Sequence, residues 1–398
     1  MATFSVRFLG CKVSQTDAQE IRERLLADGH VEETDNADVA VVNTCCVTHE
    51  AVSKSRQAVS RAARSHGRVY VTGCGANLAD AFAGAATNVR VVARRSEGTA
   101  AFVAGDVGRI GCVQADARLD RVRAFVKVQD GCSFSCGFCI VPLVRGTSRS
   151  RRAPAVLAEI RRRVRQGHRE VVLTGINLGC YRDREAGYTL AGLVREAGSV
   201  PGLSRLRLSS IEINHVDAEL VRALRETPTV AAHLHVPLQS GDDAVLKAMG
   251  RRYSTSTYRR RLEPLSDFNL TTDVIVGFPG EDDTAFQRTL DLVAAAGITK
   301  VHVFPYSPRP GTRTAAEDSV PREVKKERGA RLRAASADAC RRRWGSKLGS
   351  ADTVLVDRPG RGYGDDYSPW LVPAETPVGA LVRVQAREVT DEGIIGVL

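Results

Sequence analysis

Short apolar runs alternate with helical patterns along the first part of the chain. The apolar runs, each with the length and residue types of a buried strand, are Phe4–Leu9, Val39–Val42, Val69–Thr72 and Val89–Val92. Thr16–Ala27 has the spacing of an amphipathic helix, and a polar helical stretch separates the second run from the third. Strands that alternate with helices favour a parallel sheet covered on both faces. We therefore predict a small N-terminal parallel α/β domain over residues 1–110.

A longer alternation of the same kind follows a polar, glycine-containing linker near Gly105–Asp120. Its candidate strands are Ala124–Gln129, Glu170–Thr174, Arg205–Ile211, His233–Val236, Thr271–Val276 and Lys300–Phe304. The helical stretches between them include Ala155–Gln166, Asp217–Glu226 and Asp283–Ala296. Six strand–helix units in succession predict a parallel, partial (βα)6 barrel over residues 118–345. Such folds carry their active site at the C-terminal ends of the strands.

The last part of the chain has a third pattern. Val320–Trp344 has the composition of one basic helix. Beyond it, Thr353–Val356, Trp370–Val372 and Leu381–Arg387 alternate like strands and are separated by Gly, Pro and Asp turns. We predict a small C-terminal β-barrel over residues 346–398, so the fold class is α/β with an appended all-β module.

Composition and charge narrow the class of protein. The 398 residues are 43% hydrophobic and 26% charged, as in an ordinary soluble globular protein. No apolar run approaches the roughly 20 residues that span a bilayer, and the N-terminus lacks a basic-then-apolar signal pattern, so we expect a cytoplasmic protein without a membrane partner. The net charge of +11 favours a polyanionic partner such as RNA, although a GC-rich genome that prefers arginine codons explains it equally well. Ten cysteines in such a chain indicate metal or redox chemistry rather than disulfides.

Three cysteines within eight residues form the most informative motif. Cys132, Cys136 and Cys139 follow the first candidate strand of the barrel in a C-x3-C-x2-C pattern. Three thiolates can hold three irons of a 4Fe–4S cube and leave the fourth iron open. An open iron can chelate the amino and carboxylate groups of S-adenosylmethionine (SAM), whereas a zinc site would need a second cysteine pair or two histidines nearby. The motif therefore predicts a cluster that binds SAM and cleaves it by electron transfer.

Three further cysteines each follow a candidate strand of the first domain. Cys11, Cys45 and Cys74 stand where a strand gives way to a loop, and the C-terminal ends of neighbouring parallel strands meet at one edge. Together they can hold a second cluster with an open iron, although buried cysteines also serve as small apolar residues. Cys46 could replace its neighbour as a ligand; we select Cys45 because its Asn-Thr-Cys context repeats the turn-like context of the other two. Three other cysteines have no second cysteine at a spacing typical of a metal site, and we interpret them as structural or incidental: Cys112, Cys180 and Cys340.

Together the two cysteine sets resemble those of the radical-SAM methylthiotransferases, and the resemblance extends over essentially the whole chain. The matching motifs are Leu9–Gln15, Asn43–Thr48, Val71–Cys74, the triple-cysteine loop with Arg145-Gly146 and Arg149-Ser150-Arg151, Leu173–Gly175, Ser209–Glu212, Pro237–Gly241 and Asp273–Glu281. The chain departs from the usual pattern at Ser14, where Asn is common, and at Gly75-Ala76-Asn77, where an aromatic residue followed by Ala-Gln is common. The terminal module corresponds to the family's small RNA-binding, TRAM-like barrel.

The opening Gly-Cys-Lys-Val and the stretches SSIE, HLHVPLQSG and VHVFPYSPRPGT most resemble one branch of that family. That branch methylthiolates N6-threonylcarbamoyladenosine at position 37 of tRNA. The resemblance implies two 4Fe–4S clusters, one on each cysteine set, with SAM as cofactor and an electron donor such as flavodoxin or ferredoxin. It implies that a SAM-derived radical abstracts hydrogen from C2 of adenine, that the second cluster supplies sulfur, and that a second SAM methylates it. No catalytic side chain beyond the cluster ligands is implied.

The resemblance also assigns binding roles. The residues at the ends of the barrel strands that are expected to contact SAM are Thr174, Gly175, Glu212, Gln239 and Gly277. Turn and cap chemistry is the alternative for these positions, and Gly277 is expected to let the backbone approach the adenine because it has no side chain. Four arginines after the cluster loop are expected to bind phosphates of the anticodon stem-loop: Arg145, Arg149, Arg151 and Arg152. The alternative is that these charged side chains only face the solvent. The basic helix and the terminal barrel are expected to share one RNA-binding face and to be dispensable for both clusters.

Other functions stay open on the sequence alone. The isopentenyladenosine branch and the branch that methylthiolates a ribosomal-protein aspartate share the cluster motifs. A non-catalytic RNA-binding metalloprotein, with zinc on its cysteines, belongs to a different class. Analysis of iron and acid-labile sulfide separates that class from the enzymes, because two clusters require about eight irons per chain.

Overall fold

The computed structural model describes residues 2–34, 36–93, 98–108 and 122–398, which form two compact units. The first comprises Met1–Arg118, Asp130–Ser148 and Ser307–Ala316, and the second comprises Leu119–Gln129, Arg149–Tyr306 and Glu317–Leu398. Most of the predicted linker, together with Cys112, lies outside the described residues. Among the helices described, none combines the length and the apolarity needed to cross a bilayer.

The first unit contains a parallel sheet flanked by helices, as predicted. Its elements are β1 (Thr3–Phe8), α1 (Lys12–Ala27), β2 (Val31–Glu32), β3 (Val39–Thr44), α2 (His49–Ser65), β4 (Arg68–Gly73), β5 (Val89–Val91), α3 (Thr99–Val107) and α4 (Val141–Arg145). The strands pair in the order β2-β1-β3-β4-β5, and every pair is parallel. β3 is buried along its whole length because it occupies the centre of the sheet, which explains its uninterrupted apolar run.

Two elements of this unit escape the sequence pattern. β2 is only two residues long, and α3 includes the beginning of the predicted linker at Gly105. Ala100 and Val103 of α3 pack in one core cluster with Phe4 and Ile21. A short segment that is apolar on most sides has no helical periodicity to detect, so only its packing identifies it as a helix.

The second unit contains the six predicted barrel strands. Besides α4, the elements from Arg123 to Gly345 are β6 (Arg123–Lys127), β7 (Gln129–Asp130), β8 (Arg149–Ser150), α5 (Ala153–Arg165), β9 (Glu170–Thr174), β10 (Arg182–Asp183), β11 (Tyr188–Thr189), α6 (Leu190–Gly198), β12 (Arg205–Leu208), α7 (Ala218–Glu226), β13 (His233–His235), α8 (Asp243–Ala248), α9 (Thr255–Leu262), β14 (Asn269–Val276), α10 (Asp283–Ala295), β15 (Ile298–Pro305) and α11 (Arg322–Gly345). Two parallel sheets, β6-β9-β12 and β13-β14-β15, are joined by a parallel bridge between Leu206 and Val230. The spatial order equals the chain order, which confirms the partial (βα)6 barrel.

The C-terminal residues close into a small β-barrel, as predicted. Its strands are β16 (Ala351–Arg358), β17 (Arg361–Tyr363), β18 (Pro369–Leu371), β19 (Leu381–Thr390) and β20 (Gly393–Val397). They pair in the order β16-β17-β18-β20-β19. Trp370 is 1% exposed and packs with Val354, Val384 and Ile394 at the centre. The short strands β17 and β20 complete the closure and add to the three that the sequence indicates.

A buried ion network fixes this barrel to the strands of the second unit. Glu170 at the start of β9 accepts hydrogen bonds from Arg205 Nη1 at 3.2 Å and from Arg207 Nε at 2.8 Å. The guanidinium groups also reach the barrel backbone, with Arg205 Nη2 donating to Thr353 O and Arg207 Nη2 to Gly364 O, both at 2.6 Å. The three charged side chains are at most 4% exposed. The barrel is therefore part of the packing of this unit, and whether both clusters persist without it stays a prediction.

The predicted basic helix at Val320–Trp344 is α11, and part of its positive charge is internal. It packs against β15, where Ser336 Oγ accepts a hydrogen bond from Val301 N at 2.9 Å. Arg328 is 4% exposed and pairs with Glu281 at 2.8 Å, and Lys325 is also buried. These two residues pack inside the unit, so any contribution of the helix to an RNA-binding face, which stays a prediction, must come from its other basic side chains.

Replacing Glu170 by glutamine is expected to lower the free energy of unfolding by about 3 kcal/mol, because breaking a buried ion network leaves uncompensated charge behind. Chemical denaturation followed by circular dichroism measures this loss. Glu185→Gln is the matched control, since the Glu185 side chain that pairs with Arg152 is 73% exposed and exposed pairs contribute about 0–1 kcal/mol. Equal effects of the two substitutions would contradict the role of the network.

Candidate iron–sulfur centre

The strand ends of the first unit bring three thiols together. Cys11 follows β1 after a short turn, and Cys45 and Cys74 directly follow β3 and β4, which are consecutive neighbours in the sheet. A Cβ added at Gly10 would lie 3.2 Å from the Cys45 sulfur, so that sulfur lies against the turn that carries Cys11. Cys11 also contributes to raising the pKa of both Cys45 and Cys74, after the larger effect of burial. The strand ends therefore lie at one edge of the sheet, as parallel pairing predicts, and a shared cluster on the three thiols stays a prediction.

Backbone geometry at the end of β4 depends on a glycine. Gly73 has a φ of +84°, and a Cβ there would lie 2.5 Å from Asn43 Oδ1 and 2.6 Å from Thr44 O. A side chain at this position would therefore force β3 and β4 apart directly before Cys74. The glycine keeps the last residues of the two strands close, and this proximity determines the separation of Cys45 and Cys74.

Cys45 and its neighbour Cys46 occupy different environments. Ser55 of α2 binds the backbone of Cys45 through two hydrogen bonds. Its Oγ accepts a hydrogen bond from Cys45 N at 3.1 Å and donates one to Cys45 O at 3.0 Å. Cys46 is fully buried and packs with Cys74 and Ile140 in an apolar cluster. Burial raises the pKa of Cys46 to about 12. The contact with Gly10 supports Cys45 as the candidate ligand, which remains a prediction.

Arg145 connects the two cysteine sets. It lies at the end of α4, just after the triple-cysteine loop, and is 6% exposed. Its Nε donates to the Cys74 sulfur at 2.9 Å, Nη2 to Asp17 at 2.8 Å and Nη1 to Asp130 at 3.0 Å. Burial opposes its charge, but these neighbours outweigh burial and raise the pKa of Arg145. The expected phosphate contact of Arg145 is therefore wrong, because all three of its nitrogens are committed inside the protein.

Apolar packing joins the same two loops. Ile140, which follows Cys139 directly, and Val144 of α4 form one cluster with Cys46 and Cys74. The triple-cysteine loop and the ends of β3 and β4 are thus parts of a single packed region within the first unit.

The triple-cysteine loop itself has a compact backbone. Cys132 N donates to Gly146 O at 3.0 Å, and Cys139 N donates to Cys136 O at 3.1 Å. The Cys132 sulfur accepts a hydrogen bond from Phe134 N at 3.4 Å. All three thiols are partly exposed, as ligands that present an open iron to a substrate must be.

A second arginine lies beside the strand-end cysteines, and the sequence analysis did not identify it. Arg309 is 3% exposed, and its Nε and Nη1 have no hydrogen-bond partner in the part of the chain that the structure describes. Burial lowers the pKa of Arg309, while the nearby thiols of Cys46 and Cys45 act in the opposite direction. Its segment, 307–316, is anchored at Gly137 between Cys136 and Cys139, where Thr314 N and Oγ1 both donate to Gly137 O at 3.1 Å.

The separation of the thiols bears on the kind of group they can hold. Within the described ranges, no three side chains of His, Cys, Asp or Glu lie close enough together to coordinate a single metal ion. An iron–sulfur cube spans several metal ions, so its ligands stand farther apart than those of one zinc. The buried orphan donors of Arg309 and the bond from Arg145 to Cys74 fit an anionic group at the strand-end cysteines.

Two of the five expected SAM contacts, Thr174 and Gln239, have an unpaired polar atom or a strained backbone in the second unit. Thr174 is fully buried, and its Oγ1 has no hydrogen-bond partner. Gly175 follows it, and its N–H donates to Ser209 Oγ at 3.3 Å. Gln239 has a φ of +70°, which costs backbone energy. Strain and unpaired polar atoms are common features of ligand-binding positions.

The other two expected contacts have structural roles. The Glu212 carboxylate accepts from Asn214 N at 2.9 Å and lies 3.6 Å from Arg251, so it caps a short turn. Gly277 has a φ of +72°, and an added Cβ would collide with the side chain of Lys325. The glycine is therefore required by backbone conformation and by α11, and the expected approach of its backbone to adenine stays a prediction.

The arginines after the cluster loop are mostly neutralised. Arg151 pairs with Glu159 at 2.7 Å, and Arg152 pairs with Asp183 at 3.3 Å and with Glu185. Both arginine side chains are still partly exposed, so their contact with RNA stays a prediction. Arg149 is exposed, and its contact with RNA stays a prediction.

Two cysteines outside the sets have local partners. The Cys180 sulfur lies 3.3 Å from His215 Nε2 near the C-terminal ends of β9 and β12, and Cys340 donates to Thr299 O at 3.3 Å. Burial lowers the pKa of His215. The structural interpretation of Cys340 agrees with this contact.

Known proteins match both parts of the chain. Residues 126–293 match the Radical SAM superfamily, and residues 3–93 match a family described as Uncharacterized protein family UPF0004. The chain is 35% identical to the threonylcarbamoyladenosine tRNA methylthiotransferase MtaB of Thermotoga maritima, over 99% of this chain and 96% of that protein. It is 36% identical to the protein of the same name from Bacillus subtilis, over 84% of this chain and 80% of the other. A tRNA-2-methylthio-N(6)-dimethylallyladenosine synthase from Erythrobacter litoralis is 33% identical, over 100% and 97%.

Solved structures share the fold. The radical S-adenosylmethionine methyltransferase TsrM from Kitasatospora setae superposes with a TM-score of 0.57 at 14% identity, covering 79% of this chain and 75% of that chain. The cobalamin-dependent S-adenosylmethionine radical enzyme OxsB gives 0.53 at 10% identity, covering 85% and 58%. At these identities the likeness concerns the fold, and it agrees with the predicted fold class.

Proposed function

The chain belongs to the tRNA methylthiotransferases of the radical-SAM superfamily, and on this premise we propose that it adds a 2-methylthio group to N6-threonylcarbamoyladenosine at position 37 of tRNA. One observation carries the proposal: the two cysteine loops pack together in the first unit. Cys74 contacts Ile140, the residue after Cys139, and accepts a hydrogen bond from Arg145. A reaction that draws on both sites for one substrate carbon needs them near each other.

The proposal assigns one 4Fe–4S cluster to Cys132, Cys136 and Cys139 and a second to Cys11, Cys45 and Cys74. When bound, these groups and SAM would supply the electron, the carbon-centred radical and the sulfur that an unactivated ring carbon requires. The chain's own residues prepare the second site for negative charge. Arg145 donates to Cys74, and Arg309 offers two buried donors without partners.

In the second unit, we propose SAM contacts at Thr174, Gly175, Glu212, Gln239 and Gly277. The hydroxyl of Thr174, which has no hydrogen-bond partner among the described residues, and the side-chain amide of Gln239 would provide hydrogen bonds to SAM. The peptide groups around Gly175 and Gly277 are at strand ends, where a ligand meets the backbone directly. Glu212 would act through the carboxylate that already orients Asn214.

The proposed substrate is the anticodon stem-loop of a tRNA, with flavodoxin or ferredoxin as electron donor, in the cytoplasm. Relatives named for threonylcarbamoyladenosine are 35% and 36% identical to this chain, and the relative named for dimethylallyladenosine is 33% identical. We also propose that the chain has three domains: an N-terminal domain over residues 1–110, the radical-SAM core over 118–345 and the C-terminal β-barrel over 346–398.

Nucleoside mass spectrometry of tRNA from a strain lacking the gene tests the proposed function. We expect complete loss of 2-methylthio-N6-threonylcarbamoyladenosine and accumulation of its unmethylthiolated precursor, with recovery from a plasmid copy. Loss of the methylthio form of isopentenyladenosine would instead assign the chain to the other tRNA branch. Unchanged tRNA nucleosides would contradict the proposal and direct attention to ribosomal-protein peptides.

A further inference from the structure

The inner face of the partial barrel is polar. Alternate strand residues, such as Val126, Leu173 and Val301, pack outward with the surrounding helices in one apolar core. Side chains alternate between the two faces of a strand, so the residues between these apolar ones face the interior. The inward residues include Arg123 and Lys127 of β6, Arg207 of β12, His235 of β13, Asp273 of β14 and Lys300 of β15. Closed (βα)8 barrels fill this space with branched apolar side chains, so a polar interior is suited to a polar ligand.

Protein groups occupy the part of the interior that lies at the N-terminal ends of the strands. The ring of Tyr367, from the terminal barrel, lies 5.0 Å from the His233 ring and 4.8 Å from the Arg207 guanidinium. Arg123 pairs with Asp357 of the same barrel at 3.2 Å. Together with the buried ion network described above, these contacts compensate the charges at this end. A ligand inside the partial barrel must therefore occupy the half nearer the C-terminal strand ends.

Lys300 is an inward-facing cation of β15 that no carboxylate compensates. The inward acid of the neighbouring strand, Asp273, is engaged by a histidine, since its Oδ1 lies 3.3 Å from His235 Nε2. The other nitrogen of that ring, Nδ1, lies 2.9 Å from Thr271 Oγ1, and Thr271 is the register partner of Lys300. Lys300 itself is exposed and has no hydrogen bond or ion pair with any residue that the structure describes. Its ammonium group is therefore available to an anionic ligand.

The partial barrel is open along the strand that carries Lys300. β6 and β15 are the outer strands of the two sheets and do not pair with each other in the described ranges. Lys300, His302 and Phe304 alternate along β15 and therefore share its inner face, and all three are exposed, Phe304 to 41%. A cation and an aromatic ring on one open wall suit a ligand that has a carboxylate and a flat or apolar part.

The proposed substrate has this chemistry. N6-threonylcarbamoyladenosine carries the carboxylate of an amino acid on its N6 substituent, several bonds away from the C2 carbon that reacts. The group that binds this carboxylate therefore belongs away from the proposed SAM contacts at the strand ends. Lys300 meets this condition, because it precedes the C-terminal end of β15 by several residues, with Phe304 between them on the same face.

We propose that the inner face of β15 binds the threonylcarbamoyl group and that Lys300 pairs with its carboxylate, which makes Lys300 a specificity-determining residue. This inference rests on the proposed function. A lysine ammonium that binds a carboxylate forms a charge-assisted hydrogen bond, one of the strong kinds in proteins. The dimethylallyl group of the other tRNA nucleoside is an uncharged hydrocarbon and offers the lysine no acceptor. The charge of Lys300 therefore favours one of the two nucleosides over the other.

Two synthetic anticodon stem-loops test the proposal with the full-length, cluster-loaded protein. One contains N6-threonylcarbamoyladenosine, and the other contains its uncharged threonine amide at the same position. For the acid, K300Q should lower kcat/KM for methylthiolation and raise Kd, measured by fluorescence anisotropy, each by about tenfold, because hydrogen bonds to charged groups are the stronger ones. For the amide, K300Q should match the parent in both quantities. K247Q, which removes an exposed charge from α8, should keep the parental preference for the acid.

A parental preference for the acid in K300Q overturns the proposal, and so does a parent that does not prefer the acid. Equal losses on both stem-loops also overturn it, because Lys300 would then bind the phosphate backbone common to both. If circular dichroism shows that K300Q does not fold, K300R decides, since it keeps the charge and should keep the preference. A folded K300R without the preference, or a K300R that also fails to fold, overturns the proposal. A parent that methylthiolates neither stem-loop contradicts the proposed function instead.

Discussion

Replacing Cys132, Cys136 and Cys139 together by alanine is expected to abolish formation of 5′-deoxyadenosine from SAM. The three thiols are the only cysteines of the loop that follows β6 and β7, and without them the chain cannot present an open iron there. Liquid chromatography after anaerobic reduction with dithionite measures the product. The variant should keep about half of the roughly eight irons of the parent, because the second set is intact.

Cys340→Ala is the matched control for this triple substitution. Cys340 is a buried cysteine of α11 that donates to Thr299 O and belongs to neither set. SAM cleavage and iron content should therefore stay at the parental level in this variant. Continued production of 5′-deoxyadenosine by the triple variant would show that the SAM-cleaving site is elsewhere.

Replacing Cys11, Cys45 and Cys74 should have the opposite result. SAM cleavage should persist under strong reductant, while the methylthiolated nucleoside falls to background and about half of the iron is lost. The reason is that the first site keeps its ligands, and only the site assigned to the sulfur is removed. Parallel assays of 5′-deoxyadenosine, iron and modified tRNA on one preparation distinguish this result from misfolding.

Single substitutions of the adjacent cysteines provide the internal control. Cys45→Ala should lose the second cluster, whereas Cys46→Ala should keep it, because the Cys45 sulfur lies against the turn carrying Cys11 and Cys46 packs among apolar neighbours. A Cys46→Ala protein that loses half its iron, alongside an unaffected Cys45→Ala protein, would reverse the assignment.

The position of Arg145 in the structure differs from the one that its local sequence pattern predicts. In the sequence it belongs to an arginine-rich run after the cluster loop, a pattern typical of phosphate contacts. In the structure it is buried, and its three nitrogens bond to Cys74, Asp130 and Asp17, of which two are more than 70 residues away. Composition and spacing carry no information about which members of a charge run turn inward.

The sequence pattern of the terminal barrel predicts its strands but not its attachment to the rest of the second unit. Its strands were predicted from alternation and turn residues, and its closure is confirmed. Its attachment through Arg205, Arg207 and Glu170 was not predicted, because these residues start strands that look like ordinary members of the (βα)6 series. An experiment that deletes residues 346–398 therefore removes backbone acceptors of two buried arginines as well as any RNA contact.

The sequence by itself determined the features that depend on neighbours along the chain. The alternation of strand and helix, the C-x3-C-x2-C loop and the position of Cys11, Cys45 and Cys74 at strand ends follow from periodicity and local spacing. Parallel pairing then dictates that the strand ends meet, so the second cysteine set could be inferred without coordinates.

Only the tertiary structure decided which groups face those cysteines. Segment 307–316 belongs to the first unit although it lies far along the chain, and it bonds to His49 of α2 and to Gly137 of the triple-cysteine loop. Gly277 similarly owes its place to Lys325 of α11 rather than to a ligand alone. The physical reason is that burial and charge compensation act between residues that are distant in sequence and close in space, where a one-dimensional pattern has no signal.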